Sequence, residues 1–150
     1  MPDTLATDRI CRRNLALGWV SLAIGVASGL VLGLWSFDGP APVPQWLGDY
    51  DDTSRRMARL GHIAFMGLGF TNILPAGELA RRGRAISWRR AASAAMYFGN
   101  VLLPLSLFAA AAYRPLKYFL PVPSVAVSVA LAIVAFAVCR QLKEAPGEHP

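Results

Sequence analysis

The fold turns on one stretch, LALGWVSLAIGVASGLVLGLW at residues 15–35, which contains no charged side chain. At about 1.5 Å per residue, a helix of this length covers about 30 Å, the thickness of the hydrocarbon core of a bilayer. The same stretch carries Gly18, Gly25, Gly29 and Gly33. The last three are spaced by four and are expected on one helix face. In lipid, such spacing lets backbones approach so closely that dispersion replaces the missing hydrophobic drive. Gly25, Gly29 and Gly33 therefore form the predicted packing face, either inside the protein or against a second copy or a partner subunit.

Working outward from this stretch, the sequence repeats the pattern. Apolar blocks recur at about 60–79, 91–112 and 124–139, and the first block extends to about 37. The expectation is an all-α integral membrane protein, one domain over 1–150, folded as a four-transmembrane-helix bundle. Composition agrees: 55% of residues are hydrophobic, 16% are charged, and the mean hydropathy is +0.41. That leaves too little polar surface for a soluble domain of this size. The net charge of +6 does not indicate nucleic acid, because the Lys and Arg residues fall in short segments between apolar blocks. The first block is longer than a secretory signal core and reads as an uncleaved helix.

The connecting segments set the orientation. Residues 38–58, DGPAPVPQWLGDYDDTSRRMA, hold three prolines and four aspartates and read as an extended outer loop. Residues 80–90 form a basic connector, and YRPLKYFLPVP at 113–123 reads as a turn in the headgroup layer. Ten Lys and Arg lie on the side of the N-terminus, the connector and the tail, against five on the other. The positive-inside rule then places both termini in the cytoplasm, with the bacterial inner (plasma) membrane as the expected location. Proline removes a backbone hydrogen bond, so Pro75 is expected to kink or fray the second span and Pro104 to interrupt the third.

No CxxC, HExxH, phosphate-binding glycine loop or nucleophile elbow occurs, so no catalytic residue is nominated. Cys11 and Cys139 fall on the reducing side, where no structural disulfide is expected. Three polar residues inside the spans stand out. An ionisable group in a span is a functional candidate by default, and His62 is one. It lies one turn inside the outer boundary, within expected reach of Asp49, Asp51 or Asp52. Asn72 and Asn100 fall at nearly matched depths, predicting a side-chain amide pair between neighbouring helices. Glu78, beside Arg81 and Arg82, reads as half of an exposed ion pair.

The stretch RLGHIAFMGLGFTNIL, residues 59–74, resembles the second transmembrane helix of the haem-copper oxidase catalytic subunit, particularly the C-type oxidases and nitric oxide reductases. The resemblance covers sixteen residues and implies a role for His62 as an axial haem ligand. That family needs several further histidines, and this chain offers only His149 in its tail, so oxygen or nitric oxide reduction is excluded for the chain alone. Met66, four residues on, shares the face of His62 and is poorly placed for the opposite side of one haem. A histidine from a second copy suits it better, and Gly33 is expected near the depth of His62. The leading expectation is a small non-catalytic subunit or assembly protein in contact with lipid, forming a homo-oligomer or part of a larger membrane complex. A haem- or quinone-associated electron-transfer protein built on His62 is the alternative, and a small-solute transporter lined by Asn72 and Asn100 is the third.

Overall fold

The computed structural model describes residues 2–36, 39–49, 52–82 and 88–144, with side chains described for 9–36, 39–49, 52–77, 88–140 and 143. Four long helices make up nearly all of it: α1 (Pro2–Gly33), α2 (Thr53–Arg82), α3 (Arg89–Ala112) and α4 (Pro121–Glu144). A 3-10 helix, Arg114–Phe119, links α3 to α4. No strand occurs among the described residues. The side chains of Glu78, Arg81 and Arg82, and all of Arg84, Asp51 and His149, lie outside the described residues.

The helices outrun the apolar blocks. α1 starts thirteen residues before Leu15 and stops at Gly33; α2 begins inside the expected outer loop and continues into the basic connector. Charge keeps a segment out of hydrocarbon but does not keep it from being helical, and arginine is a good helix former. The fourth block, about sixteen residues by hydropathy, sits in a helix of 24 residues. Pro121 occupies the first turn of that helix, where a missing N–H is no loss. Pro75 and Pro104 both lie within continuous helices, so neither ends its helix. Neighbouring helices and side-chain hydroxyls make such prolines tolerable in a membrane bundle.

Consecutive helices pack antiparallel. Along the α1–α2 contact, Gly18 faces Gly69 and Asn72, Gly25 faces Met66, and Gly29 faces His62. α3 follows α2 through Gly61 against Phe108. α4 lies on α3 at Gly99, where an added Cβ would stand 3.1 Å from the Pro123 carbonyl. Leu68, Met96, Val127 and Ala130 form one apolar cluster among α2, α3 and α4. At the opposite end the loop buries Leu47 completely against Ala58 and Ala111, closing the tops of α2 and α3. Gly48, at φ 67°, makes the turn that lets the Asp49 N–H donate to Asp52 Oδ2 at 2.9 Å, just before α2 starts.

α1 and α3 run parallel and in register. Ser93 Oγ donates to Asn14 Oδ1 at 3.1 Å, and Ser21 Oγ donates to Asn100 Oδ1 at 2.9 Å. Both pairs have the same sequence offset of 79, so the two rungs stand seven residues apart on each helix. Seven residues are about two turns, which returns the side chains to the same seam.

Polarity is inverted relative to a soluble bundle. The inward stripe of α1 is Asn14, Gly18, Ser21 and Gly25, while Trp19, Val20, Ile24 and Leu30 point outward. On α2 the outward stripe is Leu60, Ile63, Gly67, Phe70 and Leu74, with no charge. Among the described residues, three segments are long and apolar enough to cross a membrane: Arg9–Gly33, Arg89–Ala112 and Arg114–Arg140. α2 has the length but not the mean apolarity, because its inward face is given to glycine, His62 and Asn72.

Candidate functional site

The polar side chains within the helices make contacts between them. His62 is half-buried on α2, and its Nδ1 stands 2.8 Å from the Gly25 carbonyl of α1. A carbonyl only accepts, so Nδ1 is the donor in this contact. The ring lies directly on Gly29: a Cβ added there would come within 2.5 Å of Cε1 and 2.9 Å of Nδ1. Asp51 lies outside the described residues; the Asp52 carboxylate accepts from the Asp49 N–H, and His62 Nδ1 meets the Gly25 carbonyl. The backbone of α1 comes this close because glycine at 25 and 29 removes the side chains that would hold the helices apart.

Gly25 and Gly29 are both occupied within the protein, by Met66 and His62, whereas Gly33 has nothing within 4 Å of its would-be Cβ. Gly29 is the position that faces His62, and Gly33, expected near the depth of His62, lies one turn beyond it. Each step of four residues advances about 40° around a 3.6-residue helix, so two steps carry Gly33 well off the seam set by Gly25. Gly18, seven residues before Gly25, stays on it.

Asn72 and Asn100 are both fully buried, at 1% and 0% exposure, and both face the same interior. They do not bond to each other. Asn72 Nδ2 donates to the Leu68 carbonyl at 3.3 Å, and Asn100 Nδ2 donates to the same oxygen at 3.4 Å. Asn72 folds back on its own helix because Leu68 is one turn away. Asn100 also accepts from Ser21, so both ends of its amide are used. Asn72 Oδ1 is buried and has no partner. Asn100 thus fixes helix positions, while Asn72 keeps one acceptor unspent.

Asn14, Ser21, Ser93 and Gly69 belong to this interior and were not singled out by the sequence reading. For α1 a signal exists: Asn14, Gly18, Ser21 and Gly25 follow a 4-3-4 spacing, the stripe of one helix face. Ser93 and Gly69 show no such mark. Among the described residues, no group of three or more His, Cys, Asp or Glu gathers to hold a metal ion. No protein-family model, curated protein or solved structure matches this chain.

Proposed function

We propose that the chain is a small non-catalytic subunit or assembly protein embedded in the bacterial inner membrane, all four helices crossing and both termini in the cytoplasm. The supporting observation is the inverted polarity of the helices: Trp19, Leu30 and Phe136 stand outward at 61%, 71% and 71% exposure while the amides and hydroxyls turn in. Water would leave that apolar exterior unmatched, and lipid or another membrane protein matches it. α2 crosses with the others because its exposed stripe from Leu60 to Leu74 is uncharged, whatever its mean hydropathy. Photocrosslinkers placed at Leu30 and at Phe136 in living cells test the subunit role. A discrete adduct with one integral protein, retained in mild detergent, is the expected result; adducts with lipid alone would overturn it.

The orientation has its own check. A thiol reagent that does not cross membranes is expected to leave Cys11 and Cys139 unlabelled in intact cells and to label the exposed Cys139 after permeabilisation. Labelling of either in intact cells reverses the topology.

One observation favours a second reading, haem binding. Histidine ligands of metals usually donate their other ring N–H to a carbonyl or carboxylate, which fixes the ring and frees the ligating nitrogen. His62 has this arrangement through Gly25. His62 would hold such a group from one side, and His62 of another copy would hold it from the other. In this reading the visible spectrum of protein purified from haem-replete cells shows a Soret band that His62→Ala abolishes. A colourless wild-type protein ends it.

A further inference from the structure

Below the Asn100 level the four helices leave a cavity of about 30 Å³, with Asn14, Asn72, Pro75, Arg89, Met96 and Ala130 in its wall. This volume holds one or two waters, or one hydroxyl group. Asn72 contributes an oxygen, not a nitrogen. Its NH₂ must face the Leu68 carbonyl, since turning the amide over would set two acceptors against each other. Oδ1 thereby points away from that carbonyl, on a residue that lines the cavity, buried and without a partner.

An orphaned buried acceptor in a bundle of this polarity needs a donor hydrogen. The cavity wall narrows the class of donor. It contains the Arg89 guanidinium and no carboxylate, which disfavours metal and ammonium cations. A deprotonated anion would place oxygen against Oδ1. What remains is a neutral hydrogen-bond donor, and in so small a space an O–H is the simplest one.

We propose that this cavity is a binding site for a neutral hydroxyl donor, which Asn72 Oδ1 holds and the apolar side chains of Pro75, Met96 and Ala130 flank. Two sources offer that chemistry: water entering from the inner face, and the hydroxyl of a membrane-soluble alcohol such as a quinol. The proposal is independent of both the subunit and the haem readings, since it involves neither the outward faces nor His62.

The test uses the full chain in nanodiscs of phosphatidylcholine, whose headgroup has no hydroxyl. The side-chain amide of Asn72 is expected to show an NMR cross-relaxation peak to water. Ala130→Leu, which fills the cavity from α4 and leaves the Asn72–Leu68 bond in place, is expected to remove the peak. Ala92→Val, smaller and on the α3 wall, serves if that variant does not fold. Decylubiquinol is then titrated in. A water peak that persists assigns the site to water, and one displaced with a saturable shift of the Asn72 amide assigns it to the membrane alcohol. No water peak and no shift with decylubiquinol means the cavity is dry and overturns the proposal, as does a peak that survives in the filled variant.

Discussion

Replacing Gly69 by alanine is expected to destabilise the protein by about 2–3 kcal/mol, and Gly18→Ala by a similar amount, the range for overpacking a close contact. The two glycines face each other across α1 and α2. A Cβ on Gly18 would lie 2.8 Å from the Gly69 carbonyl oxygen, and one on Gly69 would lie 2.9 Å from the Gly18 carbonyl oxygen. Both obstacles are backbone, so no rotamer change relieves them and the helices themselves must separate. At Gly29 the obstacle is an imidazole, which has some freedom to turn. Gly67 gives the contrast, because its Cβ would meet nothing within 4 Å. Gly67→Ala is expected to be neutral, or stabilising by up to about 1 kcal/mol from helix propensity. Unfolding titrations of the three variants in mixed micelles read these differences directly. Equal midpoints for Gly69→Ala and Gly67→Ala would remove the close backbone contact from the account of α1–α2 packing.

This contact shows which parts of the molecule were legible in the sequence. Four helices could be read, because uncharged runs of bilayer length have few other uses, and so could a glycine face on the first. Its register could not be read from a spacing of four alone, since that spacing drifts about 40° per step and the true seam alternates steps of four and three. Gly18 and Gly25 stay on the seam, and Gly33 leaves it. His62 was legible as an unusual residue, but its partner was not, because the Gly25 carbonyl is a backbone group that the sequence does not mark. Asn72 and Asn100 meet at one level of the bundle because rise per residue is constant, whereas side-chain direction depends on which carbonyl is nearest. That carbonyl proved to be Leu68 for both.

The second large effect is expected at Asn100. Asn100→Asp is expected to destabilise the protein by about 3 kcal/mol, the order of placing an acidic group at the middle of a membrane helix. The position has 0% exposure, the new group has no donor for the Leu68 carbonyl, and a carboxylate there would face that oxygen directly. Protonation would remove the charge, so the variant is expected to recover part of its stability in acid, and the wild type is not. Ser21→Ala removes only the other half of the rung and is expected to lose about 0.6–2 kcal/mol. A double-mutant cycle between Ser21→Ala and Asn100→Ala isolates their coupling. A coupling indistinguishable from zero would mean that the 2.9 Å bond does not hold α1 to α3. The Asn14–Ser93 rung lies two turns away with the same offset, so one rung alone still fixes the register of α1 against α3. Loss of both is therefore expected to exceed the sum of the separate losses, because only then are the parallel helices free to slide.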